Sequence, residues 1–448
     1  MPDKKWTEMT AQEKRDQRFK WWLDADGVNF VSADAKKAYK QRVQRMIDVY
    51  NVAEPDRVPV SVMTGALPAY RYGIDYYTCM YDYDLSVKAF DKFNQEFLDA
   101  DSLASPAMIF PGKVYDLLDY KLYSYPGHGL PKSATGIQFN EGEYMKPEEY
   151  DAMILNPSDF WQRIYMPRVF GSLESWSKLR PLTDIIEAPA MNFMPYAMAD
   201  VQNSLKTLIN VGNELLKFMQ VMGEFGRKTL EMGYPAGMGS MAKAPFDIIG
   251  DTLRGTQGVM FDIFRRPDKL LAAIDVMTKI QINSVVTSMN ATKGLSVMFP
   301  LHKGADGWMS EKAFDKFYWP SLKKTIDAFI NEGILVTLFA EGSYETRLAS
   351  VNEFPKGAVQ WLFDRTDMAK AKKALGDKCC IAGNLPTSLM ATGTPKQVKD
   401  YCKKLIETCA PGGGYILGTG AAIDNGKVEN LRAMIDAAKE YGTYKKSK

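Results

Sequence analysis

Three ionisable side chains stand where apolar, strand-like stretches of the sequence end. They are His302, Glu341 and Asp364, which follow the stretches 295–301, 334–340 and 358–363 in that order. Each stretch is a short apolar run bounded by turn residues, which is typical of a buried strand. In a barrel of parallel strands the carboxyl ends meet at one rim, so we expect these side chains to converge on a catalytic site.

Two kinds of chemistry fit one imidazole and two carboxylates. A neutral imidazole and carboxylate oxygens can hold Zn²⁺ with one position open for the substrate, and the tentative ligands are then His302, Glu341 and Asp306. Alternatively, the same groups transfer protons, and the pKa of one carboxyl is raised by its carboxylate neighbour. A third interpretation is structural, with each carboxylate paired to an arginine of its own loop. The residues alone leave all three open.

Four further residues are candidates for binding a substrate. They are Met63, Tyr72, Tyr76 and Lys243. The first three stand at or just after a predicted strand at 57–63, in a stretch rich in tyrosine and methionine. Such a stretch favours either an adaptable pocket for a flat organic ligand or ordinary core packing. Lys243 follows another predicted strand, where it would face the substrate or form an ion pair.

The order of the strands and helices that must position these residues predicts an α/β fold, which is a single (β/α)8 TIM barrel. Predicted strands alternate with helices and lie at 57–63, 102–108, 237–242, 295–301, 334–340, 358–363, 378–384 and 412–420. Residues 1–54 are predicted to form an N-terminal helical extension and 55–448 the barrel, with a long insertion at about 110–195. A nucleotide-binding sheet fits less well, because the glycines at 412–414 precede their strand instead of following it.

Local signals predict where several helices begin. Ser310 is a suitable N-cap for a helix over 311–331. Thr394, Pro395 and Gln397 form a capping-box pattern with proline at the first helical position. A last helix is predicted around 428–441.

Composition excludes several classes of protein. The 448 residues carry a net charge of +2 that is spread along the chain, which argues against nucleic acid as a partner. The five cysteines lack metal-site spacing and indicate a reducing compartment. With no signal peptide at the N-terminus and no apolar run near the ~20 residues of a membrane span, we expect a soluble cytoplasmic protein. Only two histidines exist, so a site with several imidazoles is excluded.

Several short motifs, in this order, make the chain resemble the uroporphyrinogen decarboxylase superfamily over about residues 50–445. The motifs are Arg-Val-Pro-Val at 57–60, Ala-Pro-Phe at 244–246, Phe-Arg-Arg-Pro at 264–267, Gly-Asn-Leu at 383–385, Gly-Thr-Pro at 393–395 and the glycine-rich run 412–420. The resemblance implies a single TIM barrel with its site at the carboxyl ends of the strands.

The superfamily holds decarboxylases and corrinoid-dependent methyltransferases. In the decarboxylases an arginine-containing motif at the first strand binds a polycarboxylated tetrapyrrole, whereas this chain has no arginine there before Arg71. In the thiol-methylating branch a His-x-Cys pair and a further cysteine bind zinc. The matching positions here are Phe339, Glu341 and Ala421, which offer no soft ligand for a zinc-bound thiolate.

The resemblance therefore favours an O-demethylase-like methyltransferase, which moves a methyl group from a small O-methyl aromatic substrate to the Co(I) corrinoid (cobalamin) of a partner protein. Glu341 and His302, with a proton or Zn²⁺, would assist the departing oxygen. The chain lacks an Asp-x-His-x-x-Gly run, so a separate corrinoid protein is expected, and a homodimer is a further expectation.

Two other functions remain alternatives at this point. One is a decarboxylase or lyase acting on a carboxylated substrate, for which Arg71, Lys243 and Arg254 would bind carboxylates. The other is a non-catalytic tetrapyrrole-binding protein.

Overall fold

The computed structural model describes residues 4–183, 191–235 and 239–444. Their strands, numbered along the chain, are β1 (Tyr123–Pro126), β2 (Gly129–Leu130), β3 (Gln138–Phe139), β4 (Ser240–Met241), β5 (Ser296–Leu301), β6 (Leu335–Ala340), β7 (Val359–Phe363), β8 (Cys380–Ala382) and β9 (Tyr415–Ile416). Strands β1 to β3 form a small sheet within the insertion, and β4 to β9 form the main sheet.

The main sheet is parallel, and each strand lies beside the next one along the chain, in the order β4-β5-β6-β7-β8-β9. This sequential order is the order of an α/β barrel. The register pairs Leu301 with Ala340 and Ala340 with Phe363. The residues that follow β5, β6 and β7 therefore leave the sheet at the same level, as the site prediction requires.

The first predicted strand, 57–63, adjoins β9 through isolated parallel bridges instead of a regular ladder. One bridge joins Val60 to Leu417, and Leu417 N–H donates to the carbonyl of Pro59 at 3.0 Å. Proline has no N–H to donate, so continuous pairing is interrupted at this position. The segment nevertheless lies where the first strand of a barrel would lie.

The second predicted strand, 102–108, is wrong. Its end is a 3-10 turn at Pro106–Met108, and Ser105 caps that turn by accepting from the N–H of Ala107 at 3.3 Å. Pro106 cannot donate to a sheet ladder, which explains the change of structure. Of the third predicted strand, 240–241 pairs with β5, and 236–238 lie outside the described residues. The regular part of the main sheet thus has six strands in the described residues, fewer than the eight predicted.

Helices surround the sheet and build the extension and the insertion. The α-helices are α1 (Ala11–Asp24), α2 (Ala33–Tyr50), α3 (Leu67–Arg71), α4 (Tyr76–Tyr81), α5 (Tyr83–Gln95), α6 (Gly112–Leu118), α7 (Tyr150–Leu155), α8 (Pro157–Phe160), α9 (Met166–Val169), α10 (Ala199–Glu231), α11 (Pro245–Asp247), α12 (Gly255–Arg265), α13 (Pro267–Ala291), α14 (Glu311–Ala313), α15 (Trp319–Asn331), α16 (Met368–Leu375), α17 (Thr387–Thr392), α18 (Pro395–Cys409) and α19 (Val428–Tyr441). Short 3-10 turns lie at Trp6–Glu8, Pro106–Met108, Pro147–Glu149, Gly171–Lys178, Met194–Ala197 and Glu345–Arg347, and π-helical turns lie at Trp161–Tyr165, Ile248–Leu253 and Phe314–Tyr318.

The predicted helix starts are confirmed. Ser310 accepts from the N–H of Ala313 at the start of α14, which continues through a π-turn into α15. Thr394 and Gln397 form the reciprocal capping box of α18, with proline at its first position. The last helix, α19, has the predicted bounds.

The N-terminal helices close one end of the sheet. Phe19 of α1 and Tyr50 of α2 pack against Leu335, Cys380 and Ile416, which stand at the inner face of the main sheet. Leu335 and Cys380 are the first residues of β6 and β8, so this packing lies at the end of the sheet opposite the one that carries His302. The sheet therefore has one covered end and one end open to ligands.

Helix α13 is long and apolar enough to cross a membrane by length and composition alone, although no such segment was expected from the sequence. One face of this helix, with Leu270, Ile274 and Met277, is buried in the main hydrophobic core. The cytoplasmic location stays a prediction.

A buried ion cluster attaches the first strand segment to the extension. Asp101, whose side chain is 5% exposed, accepts from Arg45 and Arg57 and from the backbone N–H of Val60 at 2.8 Å. Two cations and one amide thus satisfy both carboxylate oxygens. The carboxylate holds the strand segment in place where the ladder itself is incomplete.

We predict that Asp101→Asn lowers the free energy of unfolding by about 3 kcal/mol, because breaking a buried pair leaves charges without a partner. Urea unfolding followed by circular dichroism measures the change. Asp99→Asn is the matched control, since Asp99 forms exposed pairs with Arg432 and Lys439 and should cost about 1 kcal/mol or less. Equal losses in both variants would contradict the structural role of Asp101.

Candidate active site

The alternation of side chains along each strand explains why the three predicted residues face the mouth, which is the open end of the sheet at the carboxyl ends of its strands. Along β5 and β6, residues that contact the helices are fully buried, while Met298, Pro300, Thr337 and Phe339 on the other face are partly accessible. Successive side chains of a strand point to opposite faces. His302 and its counterparts on the neighbouring strands continue the inward-facing series by one step, beyond the last strand residue.

The structure brings His302 and Glu341 together at the mouth. His302 Nε2 lies 3.7 Å from Oε2 of Glu341, and the two side chains are 34% and 44% exposed. Both are therefore accessible to a ligand while facing each other. The charge of Asp364 contributes to the raised pKa of Glu341, so this third carboxylate belongs to the same rim.

Asp364 is also engaged with the backbone of its neighbours. Its Oδ2 accepts from the N–H of Gly342 at 3.2 Å and lies 3.6 Å from Nε of the exposed Arg365. The carboxylate thus fixes the turn that presents Glu341. The arginine pairing that the sequence suggested for Asp364 is present, in an exposed position where such a pair contributes little.

A carboxylate that the sequence analysis missed holds the imidazole. Asp251 Oδ2 lies 2.6 Å from His302 Nδ1 and 2.7 Å from Nζ of Lys243, and its Oδ1 accepts from Lys303 at 2.5 Å. The Asp251 side chain is 8% exposed. A carboxylate on Nδ1 fixes the orientation of the ring and leaves Nε2 to face the substrate.

A second buried carboxylate fixes the backbone at the end of β5. Asp247 accepts from the N–H groups of His302 and Lys303, each at 3.0 Å, and from the hydroxyl of Tyr318 at 2.8 Å. Burial and the nearby charge of Asp251 raise the pKa of Asp247. This side chain determines where the chain leaves the strand and hence where the imidazole stands.

The surroundings shift the pKa of three titratable groups in the site, Asp251, His302 and Glu341. Burial opposes the ionisation of Asp251, but His302, Lys243 and Lys303 together hold its pKa far below the usual value. Burial tends to lower the pKa of His302, and the Asp251 hydrogen bond and charge outweigh it, so the net pKa is raised. Burial raises the pKa of Glu341, with His302 opposing the shift. The site therefore favours an imidazolium beside a carboxyl that holds its proton more tightly than usual.

The tentative metal set of His302, Glu341 and Asp306 is not assembled. The oxygens of Asp306 accept from Ser343 Oγ at 2.8 Å and from Thr346 Oγ1 at 2.6 Å. Asp306 therefore braces the loops that follow β5 and β6. In the part of the chain that the structure describes, no group of three or more His, Cys, Asp or Glu side chains is placed to hold a metal ion.

The predicted substrate-binding residues take different positions. Lys243 pairs with Asp251 inside the site, which is the ion-pair alternative of the two considered for this residue. Tyr76 is buried, and burial raises its pKa to about 12. Tyr72 packs against α5, where its hydroxyl donates to Glu96 and Lys92 lies over its ring. Met63 is partly accessible on the first strand segment.

An aromatic cluster from the insertion flanks the carboxylate network. Tyr115 stacks with Tyr123 at 6.2 Å and with the partly exposed Phe110 at 6.0 Å between ring centroids, and Tyr123 contacts Phe139 at 5.5 Å. Burial raises the pKa of Tyr123, and the charge of Asp251 adds to that shift. The cluster therefore lies near Asp251 and offers apolar, flat contact area to a ligand.

The cations proposed for a carboxylated substrate are already engaged. Arg254, 3% exposed, donates to Asp262 and Glu143. Arg71 lies 3.6 Å from Glu96 on the surface. Lys243 is paired with Asp251 as well. All three cations that the decarboxylase alternative would use to bind a carboxylated substrate are therefore engaged with carboxylates of the protein.

Sequence reasoning could have found Asp251 from one signal. Asp247 and Asp251 are four residues apart in an otherwise apolar helical stretch, a spacing that places two carboxylates on one helix face. Unpaired carboxylates do not occur inside apolar segments, so buried partners were implied. Their partners, at 302 and 303, are distant in sequence and could not be assigned.

The structure as a whole is that of an enzyme-like α/β protein with a polar site at the carboxyl ends of its parallel strands. It resembles the solved structure of a methyltransferase from Methanosarcina mazei, with a TM-score of 0.56 and 14% sequence identity over 90% of this chain and 98% of that one. At this identity the likeness concerns the fold alone.

Sequence comparison supplies the family. Residues 188–441, more than half of the chain, match the family Uroporphyrinogen decarboxylase (URO-D). The chain therefore belongs to the uroporphyrinogen decarboxylase family, and the family resemblance inferred from its motifs is confirmed. A uroporphyrinogen decarboxylase from Chlorobaculum parvum is 26% identical over 188 residues, 40% of this chain, and the match spans about half (51%) of that relative's length.

We predict that Asp251→Asn lowers the pKa of His302, because the neutral amide removes both the hydrogen bond and the charge that raise it. Titration of the imidazole signals by NMR measures the shift, and His128→Gln, which leaves a single histidine, assigns the resonance. Asp99→Asn serves as a control for loss of a distant carboxylate. An unchanged His302 titration in folded Asp251→Asn would refute the proposed control by Asp251.

Proposed function

We propose that this protein is a methyltransferase that removes the methyl group of a small O-methyl aromatic substrate and passes it to the corrinoid of a partner protein. The observation that carries the proposal is the pair formed by His302 and Glu341 at the mouth, with the imidazole held by Asp251. Membership of the family and the fold shared with a methyltransferase support it. The corrinoid, the partner and the donor are all part of the proposal.

The chemistry of an ether explains the need for such a pair. When the methyl carbon–oxygen bond breaks, its electron pair stays on the oxygen, and an alkoxide or phenolate is a poor leaving group unless it receives a proton. His302 Nε2–H, in the imidazolium form that Asp251 favours, donates that proton. The gap of 3.7 Å between Nε2 and Glu341 is wide for a hydrogen bond, and the departing oxygen can contact both groups there.

The mouth suits a flat cofactor presented by another protein. A reduced corrinoid, when bound, supplies the electron pair that takes the methyl group. Phe139 exposes ring surface next to Tyr123, Phe110 does so next to Tyr115, and Met241 is 48% exposed at the end of β4. These side chains offer the apolar contact that the face of a macrocycle requires.

The predicted zinc ion does not fit as well as the proton. Only His302 and Glu341 of the tentative ligands face each other, since Asp306 is occupied by the loops. The steps assigned to this chain are therefore binding the donor, orienting it beside the imidazole and delivering a proton to oxygen.

We predict that His302→Gln lowers kcat about 100-fold or more for a methoxylated donor with an ordinary phenol as leaving group, measured with purified corrinoid protein held as Co(I). The loss should shrink for a para-nitro-substituted donor, whose phenolate leaves without an acid. Glu341→Gln should also lower kcat. Equal losses for both donors would contradict proton donation by His302, and turnover of a carboxylated tetrapyrrole without corrinoid protein would contradict the proposed function.

We also predict a pH dependence with a defined sign. The acid form of His302 exists below its raised pKa, so activity should be retained below that pKa and fall as the pH rises through it. In Asp251→Asn the fall should move to lower pH. A profile of kcat/KM against pH measures both, and an alkaline limb that stays in place in the variant would argue against His302 as the acid.

A further inference from the structure

The space below the charged rim is lined in two layers by inward-facing side chains of β5, β6 and β7. The upper layer is Pro300, Phe339 and Leu362, and the lower layer is Met298, Thr337 and Gln360, as the strand register pairs them. All of these except Gln360 are partly accessible, although the alternate residues of the same strands are fully buried. The lumen is therefore open below His302 and Glu341.

The same lumen is closed at its lower end. Leu335 and Cys380 pack there against Phe19 and Tyr50 of the N-terminal helices. Within the described residues this packing blocks the lower end beneath β6 and β8, so we expect a ligand to enter from the mouth and its leading end to stop near the lower layer.

Gln360 presents an unused hydrogen-bond donor at that level. Its side chain carbonyl accepts from Thr337 Oγ1 at 3.3 Å, and the residue is 9% exposed. Its amide nitrogen donates to no residue within the described ranges. The nitrogen is not among the fully enclosed side-chain atoms without a partner, so a polar group in the lumen can reach it and accept a hydrogen bond from it.

We propose that the lumen is the pocket for the far end of the methyl donor, and that Gln360 donates a hydrogen bond to a neutral oxygen at that end. The proposal rests on the proposed function and adds the class of substrate. The donor would be an aromatic methyl ether with a para side chain that ends in a hydroxyl or carbonyl oxygen.

The depth of the pocket sets the length of the donor. Gln360 precedes Asp364 by four residues, and Thr337 precedes Glu341 by four, which is about 13 Å along a strand. A barrel strand tilted by about 36° reduces this to a depth of about 11 Å. A methoxybenzene with a carboxyl directly on the ring is too short to reach both ends, whereas a ring with a three-carbon side chain spans the distance.

The charge of the pocket sets the kind of oxygen. The two layers contain no cation, and the lysines near the site pair with Asp251 at the rim. Burying a carboxylate without a cation is costly, so an alcohol or carbonyl is favoured over an acid. Thr337, which donates to Gln360, holds the amide in the orientation that directs its nitrogen into the lumen.

The test measures binding of demethylated products by calorimetry to the protein alone, without corrinoid. The probes are a phenol with a para three-carbon chain ending in hydroxyl, the matched phenol with a para butyl chain, and the matched propanoate. We expect the wild type to bind the alcohol about 10-fold more tightly than the propanoate. It should also bind the alcohol at least as tightly as the butyl compound, although the hydroxyl of the alcohol costs more to desolvate.

Gln360→Met keeps the length of the side chain and removes the donor. In this variant the alcohol should lose about 10-fold in affinity while the butyl compound is unchanged or gains. Gln220→Met, at an exposed position of α10, is the matched control and should change neither. Thermal unfolding establishes that each variant is folded, and Thr337→Val, which releases the amide, provides a second variant with the same expected direction.

Equal loss for the alcohol and the butyl compound, or no loss for either, would overturn the proposal and leave Gln360 as a hydrated or purely structural side chain. The outcome is separable from the proposed function. Selective binding without any methyl transfer would retain the pocket and reject the methyltransferase, whereas methyl transfer from short donors with no selectivity in binding would do the reverse.

Discussion

The site depends on two carboxylates that the fold has removed from water. Asp247 and Asp251 lie on the π-turn and helix end that follow β4, and buried charges of this kind persist only where donors satisfy them. Asp247 takes its donors from the backbone after β5, so it fixes the position of His302. Asp251 takes its donors from side chains, so it fixes the ionisation and tautomer of the same residue. One short segment therefore sets both the place and the chemical state of the imidazole.

Two lysines near the imidazole compensate the negative charge of Asp251. Lys243 and Lys303 approach the same carboxylate as His302, and each stabilises the ionised form of Asp251. Burial disfavours the imidazolium form of His302, while Asp251, Asp247 and Glu341 favour it. The raised pKa of His302 is the net result of these opposing interactions. Because the network favours a proton on Nε2, a substrate oxygen that enters there can receive it, which is what general acid catalysis requires.

The sequence predicts the parts of this structure that depend on period and local chemistry. The ends of β5, β6 and β7, the capping box of α18 and the bounds of α19 follow from apolar runs and caps, and Glu341 faces His302 as the common register of the strands requires. The failures have physical reasons. Pro59 and Pro106 interrupt ladders that the apolar pattern suggested, and the partners of Asp251 come from two segments of the chain that only the folded sheet brings together. The sequence left Asp306 open between a ligand and a brace, because a carboxylate next to a strand end can do either, and in the structure it accepts from Ser343 and Thr346.

The lumen and the rim are both lined by the side chains that point inward at every second position of a strand. This limits the orientations that a methyl donor can take. The inward series of β6 passes from Thr337 through Phe339 to Glu341, so a single strand offers a polar floor, an apolar wall and an acid in order of increasing height. Under the proposed function the methyl acceptor belongs to another macromolecule, which is too large to enter a lumen closed below by the N-terminal helices. The methyl end must therefore face outward and the rest of the donor inward. The residues deepest in the lumen would then recognise the donor, and the residues at the rim would assist bond cleavage. Specificity and catalysis would thus depend on different positions of the same strands.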